Sequence, residues 1–157
     1  QNLPLAVAQL AASERPMIRH QTGPRDLIAV QSAYAAIDAN ADVHAFINDM
    51  AAAFTWADLV VCRAGALTVA ELAAAGVASV LVPFPHAVDD HQRVNAEFLV
   101  RGNAGHCVIQ RDLTVETLAQ LLRQSRDQLL QQATAARALA RPEAAQTVAT
   151  ICEELAA

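Results

Sequence analysis

The chain has 157 residues, of which 54% are hydrophobic and 17% are charged, and its formal net charge is −5. This length predicts a single domain with a sizeable core, and the low share of charged residues argues against disorder. The acidic balance and the lack of a basic stripe argue against nucleic-acid binding. No apolar run approaches the roughly 20 residues that a membrane-spanning helix needs.

The three cysteines are Cys62, Cys107 and Cys152, and no CxxC pair or Cys/His cluster occurs. Such wide spacing supports neither a disulfide framework nor a zinc site. We therefore expect buried thiols of a reducing compartment, and we expect no metal centre.

The first residues, QNLPLAVAQLAASER, have no basic segment and do not resemble a signal peptide. They also lack an initiator methionine, and they have the pattern of a helix interior. We therefore expect the chain to be a piece of a longer protein.

Helical periodicity and short apolar runs alternate along the chain. In chain order, the first half predicts a helix over 3–13, a strand over 17–21, a helix over 25–39, a strand over 42–47 and a short helix capped by Asn48 or Asp49. The second half predicts a strand over 58–62, a helix over 68–75 ended by Gly76, a strand over 78–84, a helix over 93–101, a strand over 104–110, and helices from Thr114 with a break at Arg141-Pro142.

This alternation predicts the fold class. Strands that alternate with helices at short spacing form right-handed crossovers and a parallel sheet. We expect an α/β fold, a Rossmann-like doubly wound parallel sheet with helices on both faces and a helical C-terminal tail. The tail should pack back on the sheet or reach toward another domain.

Ligands of open parallel sheets bind beyond the carboxyl ends of the strands. The turns at those ends are 21–23, 46–48, 63–68 and 84–92. The small residues Ala64, Gly65 and Ala66 leave room for a diphosphate against the start of a helix, whose first N–H groups have no intrahelical partner. A tight turn without a ligand explains the same residues equally well.

Glu71 has two interpretations. Thr68-Val-Ala-Glu71 matches the capping-box pattern, in which the Glu71 carboxylate accepts from the backbone N–H of Thr68. Alternatively, an acidic residue one turn inside a phosphate-binding helix can accept both hydroxyls of a ribose.

The segment Asp89-Asp90-His91-Gln92, with Asn95, is the third polar group. Two acids and a histidine can form a metal site or an acid–base pair, but we favour helix capping for the acids. His91 and Gln92 would then face the strand ends, where they could bind sugar hydroxyls. The remaining histidines are scattered, and those inside predicted strands, His44 and His106, are expected to be structural.

Several enzyme classes lack support. The sequence contains no Ser/His/Asp order, no Walker loop and no GxGxxG. These absences argue against a hydrolase, a P-loop ATPase and a typical dinucleotide-binding protein.

The segment 46–96 closely resembles the C-terminal domain of the MurG family of GT-B glycosyltransferases. The shared motifs are FI-DM-A-A-ADLV-CR-GA-T-AE-AA-G, the strand end VPFPHA, and DDHQ-NA. The resemblance implies one half of a GT-B enzyme that transfers N-acetylglucosamine from its UDP donor to lipid I, which forms lipid II for peptidoglycan, cell shape and division. It also implies an inverting, metal-independent hexosyltransferase without a cofactor.

The resemblance further implies a site for UDP-N-acetylglucosamine. Its members lie in three segments: Ile47, beside Phe46, for uracil; Ala66, Leu67 and Thr68, completed by Val69 and Ala70, for the diphosphate; Glu71 for the ribose; Gln92, preceded by His91, for the sugar; and Arg63 near the donor.

By this resemblance, residues 1–157 are an incomplete C-terminal domain of a longer two-domain enzyme, with a core over 1–140 and a terminal helix over 141–157. The acceptor site, the membrane-facing surface and the catalytic base would belong to the N-terminal domain. We therefore expect no catalytic residue in this chain and no activity of the chain alone. The whole enzyme would be peripheral to the cytoplasmic face of the bacterial inner membrane.

Two features of the family's C-terminal domain are missing here. They are a glycine-rich loop and the strand before it, which would be central in a doubly wound sheet. We therefore expect a gap in the sheet. Two other functions remain open: a different UDP-sugar transferase of the GT-B class, and a non-catalytic module that binds a nucleotide or a protein partner.

Overall fold

The computed structural model describes residues 2–85 and 90–156. Within them lie, in chain order, α1 (Asn2–Ala8), β1 (Ile18–Gln21), α2 (Leu27–Ala35), β2 (Ala41–His44), α3 (Met50–Trp56), β3 (Leu59–Cys62), α4 (Ala66–Ala75), β4 (Ala78–Leu81), α5 (His91–Arg101), β5 (Gly105–Cys107), α6 (Val115–Leu122), α7 (Arg126–Ala138) and α8 (Ala144–Ala156). The predicted α/β class and the predicted order of helices and strands are confirmed.

The strands end earlier than their apolar runs predict. β2 ends at His44, so that Phe46 and Ile47 lie in a loop, and β4 ends at Leu81, before Pro83. Proline has no backbone N–H to donate to a neighbouring strand, which ends the pairing there. The first helix is also shorter than predicted, because it ends at Ala8.

All observed strand pairs are parallel. β1 pairs with β2, with Ile18 opposite Ala41. β4 lies between β3 and β5, with Leu59 opposite Ala78 and Ser79 opposite Gly105. Within the described residues, the strands form one group of two and one group of three. This interruption agrees with the expected gap in the sheet.

Helix α1 connects the two groups of strands. Its Val7 is fully buried with Val30 and Tyr34 beside the β1–β2 pair. Its Ala6 packs with Leu118 of α6, and Val61 of β3 joins that cluster. A single short helix therefore contributes to the core beneath both groups.

Helices cover both faces of the three-stranded group. On one face, Leu72 of α4, Leu99 of α5 and Ala136 of α7 pack around Leu81 of β4. On the other face, α1 and α6 pack near Val61. All four residues of β4 are buried, as expected for a strand with a neighbour on each side and helices above and below.

The last helix behaves differently from α7. None of the α8 residues that the structure describes is buried, and Val148, Ile151 and Leu155 are 60%, 49% and 84% exposed. The C-terminal tail therefore packs back on the sheet through α7 but not through α8.

Across the described ranges, no helix has the length and apolar content needed to cross a bilayer.

β4 and β5 approach each other closely at Gly105. A Cβ atom at this position would lie 2.3 Å from the backbone oxygen of Ser79 and 2.6 Å from its Oγ. Ser79 is fully buried, so it has no space into which to move.

We expect Gly105→Ala to lower the free energy of unfolding by about 3 kcal/mol, because the added methyl group must push two packed strands apart. The control is Gly65→Ala, whose Cβ would meet nothing nearer than 3.6 Å. That change should cost about 1 kcal/mol, since only the preference of the helix N-cap for glycine is lost. Urea unfolding measures both values, and equal losses would contradict the steric explanation.

Candidate functional site

The turn between β3 and α4 presents the start of a helix at the carboxyl edge of the sheet. α4 begins at Ala66 with Gly65 as its N-cap, and the N–H of Val69 donates to the carbonyl of Gly65 at 2.9 Å. The N–H groups of Ala66, Leu67 and Thr68 precede this first helical bond and have no intrahelical partner. They form a concentrated set of donors with the positive end of the helix dipole.

Exposure distinguishes the residues of this first turn. Leu67 is 80% exposed and Ala70 is exposed, whereas Val69 is 5% exposed within the core. Since Val69 also commits its N–H to Gly65, its side chain and amide both serve the fold. The donors that can meet an anion are therefore those of Ala66 to Thr68.

The capping-box interpretation of Glu71 is wrong. It requires Thr68 at the N-cap, but the helix starts two residues earlier and Gly65 occupies that place. Thr68 lies inside the first turn, and the side chain of Glu71 is exposed on the helix surface. Glu71 shares this surface with Leu67, four residues earlier, because positions i and i+4 of a helix lie on one face.

The loop after β2 carries Phe46 and Ile47 at the carboxyl end of the β1–β2 pair. Phe46 is 66% exposed, and the N–H of Ile47 donates to Oε1 of Gln21 at 2.8 Å. Gln21 is the last residue of β1, and the backbone bonds continue beyond it, from Thr22 N–H to the carbonyl of His44. The Gln21 side chain thus occupies the backbone donor that, by the family resemblance, would meet uracil.

Gln92, in the first turn of α5, is also engaged. Its Oε1 accepts from the N–H of Phe84 at 2.9 Å, which leaves its Nε2 to donate elsewhere. Nδ2 of Asn95, one turn further along, donates to the carbonyl of Ala64 at 3.1 Å. These two bonds fix the start of α5 against the loop after β4 and against the turn that begins α4.

The acids before α5 are only partly described. Asp90 is the N-cap of α5, as expected, but its side chain pairs with Arg93 and makes no capping bond. His91 is the first residue of the helix and is exposed. Asp89 and His86 lie outside the described residues.

Arg63, directly after β3, contacts the loop that follows β4 and a residue that follows β5. Its Nη1 donates to the carbonyls of Val82 and Pro83, each at 3.2 Å, and its Nη2 donates to Oε1 of Gln110 at 2.7 Å. Its Cζ lies 5.4 Å from the centre of the Phe84 ring. Both Nη atoms of this guanidinium therefore already donate hydrogen bonds to protein oxygens.

The other titratable groups have structural surroundings. His20 shares a hydrogen bond with Tyr34 at 3.0 Å, and burial lowers the pKa of His20 and raises that of Tyr34. His44 and His106 lie in strands, as expected; His106 contacts Gln124 and Gln132, and His44 pairs with Asp42.

Burial raises the pKa of the Cys62 thiol to about 12, which keeps the thiol protonated. In the ranges 2–85 and 90–156, no three His, Cys, Asp or Glu side chains form a group that could hold a metal ion.

The sequence did not single out the side chains of Gln21 and Gln110. Gln21 is the last residue of β1 and Gln110 follows β5, and that position at the carboxyl end of a strand is the signal that could have found them. Their hydrogen bonds depend on packing between distant segments, which a local pattern does not contain.

Comparison with known proteins points to one family. A model of the glycosyltransferase family 28 C-terminal domain matches residues 2–152. The relatives include UDP-N-acetylglucosamine--N-acetylmuramyl-(pentapeptide) pyrophosphoryl-undecaprenol N-acetylglucosamine transferases. That of Dechloromonas aromatica is 53% identical over 154 residues, with 98% of this chain and 44% of the relative covered. That of Aromatoleum aromaticum is 53% identical over 156 residues, with 99% and 44% covered.

A solved structure is also similar. The crystal structure of Acinetobacter baumannii MurG matches with a TM-score of 0.87 and 44% identity, over 97% of this chain and 44% of that chain. The chain thus spans less than half the length of these relatives.

Proposed function

The chain belongs to the family of glycosyltransferase family 28 C-terminal domains, and on this premise we propose that it is the donor-binding half of an N-acetylglucosaminyltransferase. The donor is UDP-N-acetylglucosamine, the sugar nucleotide that the names of the relatives contain. The observation that carries the proposal is the exposed start of α4, to which Asn95 joins the start of α5 with its Gln92. Ile47 lies in the loop at the carboxyl end of β2.

The diphosphate binds at the start of α4 in this proposal. The N–H groups of Ala66, Leu67 and Thr68 donate to its oxygens, and the helix dipole favours its negative charge. Gly65 and Ala66 have no bulky side chain between the backbone and the ligand. Val69 and Ala70 complete the turn, with Val69 as its buried anchor.

The ribose lies further along the same helix surface. Glu71 is four residues beyond Leu67, about 6 Å along the axis at 1.5 Å per residue. This separation suits a carboxylate that accepts from both ribose hydroxyls while the diphosphate occupies the first turn. Because Glu71 makes no capping bond, its oxygens are not committed to the start of the helix.

The base and the sugar extend to opposite sides of the diphosphate. Uracil meets the backbone of Ile47 beside the exposed ring of Phe46. Nε2 of Gln92, with its Oε1 held by Phe84, donates to a hydroxyl of N-acetylglucosamine, and His91 lies next to it. In this arrangement the base must replace Gln21 at the N–H of Ile47.

We further propose that the whole protein transfers the sugar to lipid I and so forms lipid II. Residues 1–157 would form its C-terminal domain, with a core over 1–140 and a terminal helix over 141–157. The acceptor site, the base and the surface that meets the inner membrane from the cytoplasmic side would lie outside this chain. A transferase with a different acceptor would use the same donor half.

We expect Glu71→Ala to weaken UDP binding about tenfold or more, because two charge-assisted hydrogen bonds to the ribose are lost. Calorimetric titration with UDP and with 2′-deoxyuridine diphosphate measures the effect. The variant should no longer distinguish the two ligands. Glu116→Ala, on α6 across the sheet, is the matched control and should bind like the unmodified chain. Equal binding of UDP by the Glu71→Ala variant would contradict the ribose role.

We expect Gln21→Ala to bind UDP about three- to tenfold more tightly, because the base no longer competes with an internal hydrogen bond. The control is Gln9→Ala on α1, which removes a glutamine that contacts Glu116. Calorimetry again provides the measurement. Weaker binding by the Gln21→Ala variant would show instead that Gln21 holds the loop in its binding conformation.

We expect the 157-residue chain to transfer no sugar to a lipid I analogue, because the proposed acceptor site lies outside it. Transfer of radiolabelled N-acetylglucosamine measures this activity, with a full-length relative as the positive control. Turnover above background by the chain alone would overturn the assignment of the base to another domain.

A further inference from the structure

One guanidinium connects the carboxyl ends of three neighbouring strands. Arg63 follows β3, its two carbonyl partners Val82 and Pro83 follow β4, and Gln110 follows β5. The last backbone bonds between these strand ends run from the N–H of Val82 to the carbonyl of Cys62 and from the N–H of Val108 to the carbonyl of Leu81. Beyond them, side-chain contacts join the loops. Arg63 supplies such contacts to the loop after β4 and to Gln110 after β5.

We propose that Arg63 is a positioning residue that sets the sugar half of the donor site and does not bind the diphosphate. This inference rests on the proposed function. It assigns to Arg63 a role through the loop after β4, in place of direct contact with the donor.

The contacts lead from Arg63 to Gln92 in two steps. The guanidinium holds the carbonyls of Val82 and Pro83 and lies over the ring of Phe84. The N–H of the same Phe84 then donates to Oε1 of Gln92. Since one end of the Gln92 amide is fixed in this way, its Nε2 is directed as a donor. A displaced Phe84 would release that amide and change which atom meets the sugar.

A second link fixes the same geometry from the other side. Asn95 connects α5 to the carbonyl of Ala64, the residue after Arg63. Hydrogen bonds therefore fix both the loop after β4 and the start of α5 to the turn that holds the diphosphate in the proposed site. Gln92, which binds the sugar in the proposed site, can move relative to that turn only if one of these bonds breaks.

A planar fork is required for this role. The acceptors of Arg63 lie on two different strand ends, and all three are neutral oxygens. Within the described residues, none of the ion pairs includes Arg63. A lysine would keep the positive charge near the start of α4, but its single ammonium group cannot reproduce the fixed directions of a guanidinium. Lysine therefore separates the effect of charge from the effect of geometry.

The test compares Arg63→Lys with the unmodified chain by calorimetric titration with UDP and with UDP-N-acetylglucosamine. We expect the variant to lose about tenfold in affinity for the sugar nucleotide while its affinity for UDP changes by less than about twofold. Gln110→Ala, outside the proposed donor site, should lower the same ratio of affinities by a smaller factor, because it removes one acceptor of the brace.

Three results would overturn the proposal. An equal loss for both ligands in Arg63→Lys would assign Arg63 to the diphosphate. An unchanged ratio in that variant would show that charge alone suffices. An unchanged ratio in Gln110→Ala would remove β5 from the brace.

A ligand-free measurement separates this proposal from the proposed function. We expect the amide of Phe84 to exchange hydrogen faster in Arg63→Lys than in the unmodified chain, and the amide of Ile47 to exchange unchanged. Equal exchange at Phe84 would overturn the brace whether or not the chain binds UDP. If the unmodified chain binds neither ligand, the proposed function fails, and the exchange result still decides the role of Arg63.

Discussion

The parallel pairing of β3, β4 and β5 is the constraint on which the rest of the structure depends. Because all three strands run in one direction, their carboxyl ends meet at one edge, and the turns that follow them are brought together there. β4 is buried on every side, so its position is fixed by packing on both faces. Because α4 follows β3 and α5 follows β4, the spacing of these strands sets the relative positions of the two helix starts.

The sequence predicted the fold class and most of the elements. Strong local signals account for this success: Asp49 accepts from the N–H of Ala52 at the start of α3, and Gly76 ends α4 with a φ of 67°. Where two signals competed, the sequence was less reliable. Thr68 and Glu71 match a capping box, but the small residues before them let the helix begin earlier, at Ala66.

The sequence also indicated which turns would meet, since a parallel sheet places them at one edge. It could not supply the bonds between them. Gln21 and Ile47 are 26 positions apart, and Arg63 and Gln110 are 47 positions apart. Their contacts depend on the spacing of strands and on side-chain directions, which no local pattern contains. The site residues inferred from the family resemblance remain predictions that ligand binding must test.

The glycine at position 105 has a consequence beyond the stability of the sheet. The distance between β4 and β5 determines how far Gln110 stands from the guanidinium that reaches it at 2.7 Å. N–H···O hydrogen bonds span about 2.7 to 3.2 Å between their heavy atoms, so this bond has about half an ångström in which to lengthen. Because Gly105 has no side chain, β4 and β5 can lie close together, and this spacing helps to set the distance between Arg63 and Gln110 at the surface. The spacing of two buried strands thus bears on the position of Gln110, which contacts Arg63 at the surface.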